Sequence, residues 1–311
     1  MPDNAKQQRL ARTLLWLVPA LWSVNFIAAR LANGVIGPYT LALGRWAIAG
    51  AVLVALTRAE LWQHRIALAR DWWHYLMLGF LGMLVCGAWV YEGARSTSAV
   101  NIALIYAAAP VLIGLGSALW LHEHIRLRQA VGVALALAGV MHVVVKGDWR
   151  TLLQLQFVVG DLWIVAATVS WAAYALLQKK WPSPLGASAR LAAICVGGVI
   201  CLLPFAAWEA TQAGLTVWGW PALGLIVLTA IAPGLGAYWI YGWAQKMLGA
   251  SRVAVALYLN PLYGGLAAWL VLGEVPGWHH VAGAALILPG VFLVTEVTSA
   301  AVIRQPLPAR N

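Results

Sequence analysis

The sequence predicts an all-α polytopic membrane protein whose ten transmembrane helices form two inverted five-helix repeats, with the N- and C-termini in the cytoplasm. Three observations lead to this fold class: the composition, the spacing of the apolar stretches and a similarity between the two halves of the chain. Of the 311 residues, 62% are hydrophobic and 10% are charged, and the mean hydropathy is +0.80. Soluble domains carry about 25% charged residues, and disordered chains contain few apolar ones, so this composition excludes both classes.

Ten apolar stretches reach the roughly 17 residues that are needed to cross the hydrocarbon core of a bilayer. They cover residues 13–32, 38–57, 72–92, 98–121, 127–145, 158–178, 186–208, 220–243, 250–272 and 278–296. The second and seventh stretches each contain an arginine, Arg45 and Arg190. The remaining residues are too few for a soluble domain, so we expect the whole chain to be embedded in the membrane.

The basic residues predict the orientation of these spans. The chain has 20 lysines and arginines against 10 acidic residues, a formal net charge of +10. With the N-terminus inside, fifteen of the basic residues fall on the cytoplasmic side and five on the outer side. This bias over short loops follows the positive-inside rule, and it accounts for the basic charge without a nucleic-acid partner.

The two halves of the chain resemble each other. Residues 99–140 and 250–291 align at a spacing of 151 with fourteen identities in 42 positions. The matched pairs include Pro110 with Pro261, Glu123 with Glu274, Trp22 with Trp171, Arg45 with Arg190, Arg30 with Lys179, and Tyr91 with Tyr241. We therefore divide the chain into a first repeat (1–147), an extracytoplasmic linker (148–157), a second repeat (158–298) and a cytoplasmic tail (299–311). Because each repeat has five spans, the repeats enter the membrane in opposite orientations, as they do in secondary transporters that work by alternating access.

The segments that carry this pattern also resemble a known family. They are LWSVNFIAAR in the first span, LGRWAIAG in the second, and a twice-repeated pattern of proline, L-x-x-E and glycines. Together they are similar to the ten-span EamA-type branch of the drug/metabolite transporter superfamily, which includes amino-acid exporters of the YddG kind. The resemblance implies a central cavity and the export or exchange of small metabolites, with nucleotide-sugar carriers as more distant relatives.

Aromatic side chains at mid-span depth are the candidates for lining such a cavity. Trp22 and Asn25 share one helical face, as do Trp171 and Tyr174, and a mid-membrane asparagine must meet protein or water. The predicted substrate-binding residues are Trp22, Asn25, Tyr91, Tyr106, Trp163, Trp171, Tyr174, Tyr238, Tyr241 and Tyr258. Such rings can stack on planar groups and attract organic cations. Helix packing is the alternative role for each single ring.

Charged residues near the span ends are candidates for gates. We expect Glu274 to help close the outer side with Arg30 or Arg45, and Glu123 to help close the inner side with Lys179 or Arg190. The alternative is that these side chains are solvated or extend to the lipid headgroups.

Pro110 and Pro261 fall mid-span in equivalent helices, where each removes a backbone hydrogen bond. We expect both to act as hinges.

The sequence contains no motif of an enzyme, a metal site or a cofactor site. It has no H-E-x-x-H or G-x-S-x-G pattern, its three cysteines lie in apolar segments, and its adjacent histidines flank span ends. The ten acidic residues lie in loops, tails or near span ends, which disfavours proton antiport through a central carboxylate.

We therefore expect a transporter in a bacterial inner membrane, whose partners are the lipid bilayer and a small-molecule substrate. The expected substrate is a small amphipathic metabolite, above all an aromatic or bulky amino acid. Organic cations or drugs, and nucleotide sugars, are alternative substrates. A non-transporting scaffold or a scramblase is the alternative class of protein. The oligomeric state is left open.

Overall fold

The computed structural model of the protein describes residues 2–32, 34–94, 96–97, 99–123, 125–212, 216–272 and 277–295. All regular secondary structure in these residues is helical. Eight of the described helices are long and apolar enough to cross a membrane: Pro38–Gln63, Trp72–Gly93, Leu127–Val144, Val159–Lys180, Ala187–Ala210, Trp220–Leu248, Ala250–Val271 and Trp278–Thr295. The prediction of an all-α protein is therefore confirmed, and eight of the ten predicted spans correspond to helices that could cross a membrane.

The first half of the chain contains nine α-helices and two other helical segments. They are α1 (Pro2–Leu15), α2 (Leu17–Ala32), α3 (Pro38–Gln63), α4 (Arg65–Arg70), α5 (Trp72–Gly79), a π-helix (Phe80–Trp89), α6 (Val90–Ala94), α7 (Ala99–Tyr106), α8 (Ala109–Trp120), α9 (Leu127–Val144) and a 3₁₀-helix (Trp149–Gln154). The 3₁₀-helix lies in the predicted linker.

The second half repeats this order closely. Its elements are α10 (Val159–Lys180), α11 (Ala187–Ala210), α12 (Trp220–Thr229), a π-helix (Ala230–Ala237), α13 (Tyr238–Leu248), α14 (Ala250–Ala254), a 3₁₀-helix (Val255–Leu259), α15 (Asn260–Leu272) and α16 (Trp278–Thr295). The two π-helices begin 150 residues apart, so the third and eighth predicted spans carry the same irregularity at matching places.

The first and fourth predicted spans take a different form from the other eight. The first is the 16-residue helix α2, which follows the polar helix α1 after one turn residue. The fourth is divided into α7 and α8 by a turn at Ala107 and Ala108.

The two predicted hinge prolines each lie at the start of a helix. Pro110 is the second residue of α8, and Pro261 is the second residue of α15, after the 3₁₀-helix. Proline has no N–H to donate and its φ angle suits the first turn of a helix, where the backbone N–H groups have no partner within the helix. Both prolines therefore follow an interruption of the span.

Helices α9 and α16 pack closely through four glycines. A Cβ atom added at Gly132 would lie 2.6 Å from the carbonyl oxygen of Gly290, and one added at Gly139 would lie 2.8 Å from that of Gly283. These glycines are matched pairs in the sequence alignment, Gly132 with Gly283 and Gly139 with Gly290. The contacts are therefore reciprocal, as they are in an interface with two-fold symmetry.

Helices α3 and α11 also pack against each other, and each ends in a glutamate that caps the other. Glu209 accepts hydrogen bonds from the Tyr39 and Thr40 backbone nitrogens at 3.2 and 2.7 Å and from the Thr40 hydroxyl at 2.7 Å. Glu60 accepts one from the Gly186 backbone nitrogen, just before α11 begins. A carboxylate at a helix N-terminus satisfies free N–H groups and favours the helix dipole. These caps fix the two helices against each other at both ends.

Candidate functional site

Six aromatic side chains form one cluster in the core of the protein. They belong to α2, α3, α10 and α13 and are Trp22, Trp46, Trp171, Tyr174, Tyr238 and Tyr241. The Trp22 ring centroid lies 5.4 Å from that of Trp171 and 5.4 Å from that of Tyr241. Tyr238 completes the cluster, with its ring centroid 4.7 Å from Trp46 and 5.5 Å from Trp171. Most of these contacts have the tilted or edge-to-face geometry that aromatic pairs prefer.

Helical periodicity brings these rings together. Trp171 and Tyr174 are three residues apart on α10, and Gln178 lies one turn further along the same face. Helix α13 repeats the pattern with Tyr238, Tyr241 and Gln245. Each helix therefore presents two rings and then an amide.

The adjacent π-helix provides room and a hydrogen-bond acceptor for this cluster. A Cβ atom at Gly82 would lie 2.8 Å from the Tyr174 ring, so only glycine leaves space for it. The carbonyl oxygen of Gly82 accepts a hydrogen bond of 2.8 Å from the Tyr238 hydroxyl. Segments of π-helix often occur at functional sites.

Arg45 lies beside the cluster in a buried polar network. Only 4% of its surface is exposed, and its Nη1 donates a hydrogen bond of 3.0 Å to Asn25 Oδ1. The Tyr91 hydroxyl donates to the same oxygen at 2.9 Å, and the Arg45 guanidinium lies 4.6 Å from the centre of the Trp46 ring. Among the described residues, no carboxylate forms a salt bridge with Arg45. An amide oxygen and an aromatic face thus stabilise this buried charge.

A cavity of about 230 Å³ extends the aromatic cluster toward one end of the helices. Tyr174 and Tyr238 belong to both the cluster and the cavity wall, which also includes Gln178 and Gln245. Three basic residues line the cavity, Lys179, Arg190 and Lys246, and its described wall contains no acidic residue. The two lysines are exposed, whereas Arg190 is half-buried. The cavity is therefore apolar and aromatic at its buried end and positively charged at its open end.

Arg190 and Gln245 have spare hydrogen-bonding capacity in this cavity. Arg190 Nη2 donates to the carbonyl oxygen of Trp181 at 2.8 Å, but its Nε has no partner among the described residues. Gln245 is 3% exposed, and its Oε1 is likewise without a partner in the described part of the chain. Such buried groups are costly unless a ligand or water completes their hydrogen bonds.

The predicted gate residues have other partners in this structure. Glu123, just after α8, accepts a hydrogen bond from the Ser251 hydroxyl at the start of α14. The described structure contains no salt bridge from Glu123 to Lys179 or Arg190. On the outer side, Glu274 and the Arg30 side chain lie outside the described residues.

Five of the ten predicted substrate-binding residues lie outside the aromatic cluster. Asn25 and Tyr91 belong to the neighbouring polar network with Arg45, and the other three lie further away. Trp163 is 37% exposed and stacks edge-on against Trp89 at 5.1 Å. Tyr258 packs in a second core between α9 and α16. Tyr106 is partly buried at the end of α7.

The candidate site also contains residues that the sequence did not indicate. Trp46 neighbours Arg45 in the segment LGRWAIAG, and Gln245 and Lys246 follow Tyr241 by one turn. Tyr241 and Gln245 lie one helical turn apart, as Tyr174 and Gln178 do. This repeated spacing in the sequence could have identified Gln245.

Comparison with known proteins identifies the family of this chain. The model of the EamA-like transporter family matches residues 10–145 and again residues 158–296. The chain belongs to the EamA-like transporter family. The two matches coincide closely with the two predicted repeats, and members of this family are transporters and not enzymes.

Several EamA relatives match almost the whole chain at low identity. An uncharacterized transporter of Archaeoglobus fulgidus is 26% identical, with 91% of this chain and 96% of the relative covered. A riboflavin transporter of Vibrio cholerae is 26% identical over 83% and 82% of the two chains. A probable terminal-alkyne amino-acid exporter of Streptantibioticus cattleyicolor is 27% identical over 91% and 93%.

One solved structure has the same fold. It superimposes with a TM-score of 0.74 at 20% identity and covers 92% of this chain and 96% of its own. At this identity the likeness supports the fold alone.

Proposed function

We propose that this EamA protein exports small amphipathic metabolites, above all aromatic or bulky amino acids, by alternating access. The observation that carries the proposal is the aromatic cluster that continues into a cavity with polar and charged groups at its open end. The rings would receive the apolar part of a substrate, and the polar groups would bind its charged part. The amino-acid exporter among the relatives supports this substrate class, and the riboflavin transporter among them makes riboflavin a compound to test.

We also propose ten spans in two inverted repeats, with both termini in the cytoplasm of a bacterial cell and the protein in its inner membrane. The double family match supports two repeats. The reciprocal glycine contacts of α9 with α16 and the reciprocal caps of α3 and α11 support a two-fold axis between them. In this orientation the cavity opens to the cytoplasm, from which an exporter collects its substrate.

The gates remain part of this proposal. Glu274 with Arg30 or Arg45 would close the outer side, and Glu123 with Lys179 or Arg190 the inner side, in conformations other than the one described. Pro110 and Pro261, each beside an interruption of its span, would allow the halves of those spans to move. Because the described residues that line the cavity include no carboxylate, facilitated export fits better than proton antiport.

Flux from liposomes tests the proposed function. The purified protein is reconstituted, and the efflux of labelled phenylalanine, leucine and riboflavin is compared with that from protein-free vesicles. We expect at least one amino acid to leave faster with the protein present. Trp171→Leu should slow this efflux about tenfold, whereas Trp269→Leu, which removes a ring that is 45% exposed, should not. Efflux equal to that of empty vesicles for every compound would contradict the proposal and favour a non-transporting protein.

A further inference from the structure

The charge of the cavity wall restricts the substrates that it can bind. Lys179, Arg190 and Lys246 contribute three positive charges, and no acidic residue contributes to the described wall. The Glu60 carboxylate accepts a hydrogen bond from the backbone nitrogen of Gly186, between the lining residues Leu185 and Ala187, but Glu60 itself does not line the cavity. The field in the cavity therefore attracts anions and repels cations.

The positions of the basic groups suggest two different roles. Lys179 and Lys246 are exposed at the open end, where they can raise the local concentration of an anion without holding it. Arg190 lies deeper on α11, and its one hydrogen bond to the described residues runs from Nη2 to the Trp181 carbonyl. Its Nε has no described partner, so the guanidinium can still donate to an incoming carboxylate.

Gln245 is a second residue of the cavity wall with a polar atom that has no described hydrogen-bond partner. Gln245 is almost completely buried, and its amide nitrogen is oriented by the Ala175 carbonyl at 3.4 Å. This leaves Oε1 as a hydrogen-bond acceptor without a described donor. A hydroxyl group of a ligand would satisfy it at little cost.

From this geometry we propose that the cavity is a binding site for a net-anionic aromatic carboxylate. Arg190 binds the carboxylate, Tyr174 and Tyr238 contact the ring, and Gln245 accepts a hydrogen bond from a hydroxyl group on the carbon next to the carboxylate. The proposal rests on the proposed transport function and changes the order of its substrates. It places aromatic carboxylates without an ammonium group ahead of the zwitterionic amino acids, and it excludes amines.

Four compounds with one ring and different charges test the proposal. They are 3-phenylpropionate and 3-phenyllactate (anions), phenylalanine (a zwitterion) and phenethylamine (a cation). Binding is measured as the ligand-dependent rise in unfolding temperature of the purified protein, and transport is measured as flux from vesicles of phosphatidylcholine. Phosphatidylcholine has no net charge, and repeating the binding assay with phosphatidylglycerol added shows whether an anionic lipid headgroup competes for the site.

We expect the anions to bind at least ten times more tightly than phenethylamine, and 3-phenyllactate more tightly than 3-phenylpropionate. Arg190→Gln should weaken the binding of both anions at least tenfold and bring it near that of the amine. Arg190→Lys should retain part of it. Gln245→Leu should remove the advantage of 3-phenyllactate over 3-phenylpropionate. Arg65→Gln is the matched control, because Arg65 is exposed, does not line the cavity and lies on the same predicted side of the membrane.

The outcomes separate this proposal from the proposed function. Equal binding of phenethylamine and 3-phenylpropionate, or anion binding unchanged in Arg190→Gln, would overturn the anionic site even if phenylalanine is transported. A stronger effect of phosphatidylglycerol than of either carboxylate would assign the site to a lipid headgroup and overturn it too. If the anions bind through Arg190 but no compound crosses the membrane, the site stands and the transport function fails.

Discussion

Arg45 and Arg190 are matched arginines near the starts of the paired helices α3 and α11, yet their surroundings differ. Arg45 is enclosed by Asn25, Trp46 and the glycine-rich π-helix, where a Cβ atom at Gly87 would lie 3.2 Å from its Nη2. Arg190 lines a cavity and has one bond to a backbone carbonyl. One arginine is thus sealed by protein and the other is available to a ligand. In the proposed inverted-repeat arrangement, this difference is expected when one side of the protein is closed and the other is open.

The reciprocal caps explain part of the difference. The glycines that precede α3 and α11, Gly37 and Gly186, are 149 residues apart, and so are the capping glutamates Glu60 and Glu209. At that spacing Arg45 lies one helical turn, about 6 Å, deeper in its helix than Arg190 does. The sequence alignment paired the two arginines at a spacing of 145, and the caps shift this pairing by one turn. The deeper arginine reaches the protein core, and the shallower one reaches the cavity.

Removing the sealed arginine should have the largest effect on transport. In Arg45→Met we expect transport to fall at least about tenfold, equivalent to about 1.4 kcal/mol, while the unfolding temperature is unchanged or higher. A buried charge without a carboxylate partner costs desolvation free energy, and Asn25 and Tyr91 can still bond to each other without it. Flux assays and thermal unfolding of the same preparation measure both. Full transport by Arg45→Met would show that the network is only structural.

Cysteines placed three residues before each arginine test whether water reaches the surroundings of Arg190 and is excluded from those of Arg45. Ala42 is 1% exposed and Ala187 lines the cavity. In a background without Cys86, Cys195 and Cys201, we expect a water-soluble thiol reagent to label Ala187→Cys about ten times faster than Ala42→Cys. Modification of both cysteines at equal rates would mean that the two sides are equally open. It would contradict the difference between the surroundings of Arg45 and Arg190.

An added carboxylate beside Arg45 should stabilise the closed arrangement of the side chains around it. In Asn25→Asp the new side chain would lie about 3.0 Å from Arg45 Nη1 and form a buried salt bridge. We expect a higher unfolding temperature and a several-fold lower transport rate, because opening must now separate two charges. The double variant Asn25→Asp with Arg45→Met leaves the carboxylate without its partner and should lose the added stability. A gain in stability that survives in the double variant would contradict this explanation.

The smallest effects are expected at the two caps. Glu209 is 2% exposed and accepts three hydrogen bonds, whereas Glu60 accepts one from Gly186. Loss of an N-terminal cap costs about 0.5–2 kcal/mol, so Glu209→Ala should lie at the upper end of this range and Glu60→Ala at the lower end. Unfolding of the purified protein by denaturant measures both. Equal costs would show that the two helix starts are equally dependent on their caps.

Much of the fold could be predicted because the membrane imposes simple rules. A helix that crosses a bilayer needs an uninterrupted apolar stretch, and eight of the predicted stretches meet that condition in the described structure. The break between α7 and α8 was missed because an interruption changes which backbone groups are paired and leaves the apolar composition unchanged. The substrate-binding role of the candidate residues stays a prediction. Trp22, Trp171 and Tyr241 lie together in the aromatic cluster, while Trp163 and Tyr258 lie elsewhere.

The sequence by itself determined that this is a helical membrane protein with two similar halves, because composition and matched residues are properties of the chain alone. Only the tertiary structure decided which side chains meet. A helix has several aromatic and polar faces, and its rotation and register against its neighbours select one of them for the interior. Arg45 and Arg190 look equivalent in the sequence, but a difference of one turn places one against Asn25 and Trp46 and leaves the other beside a cavity.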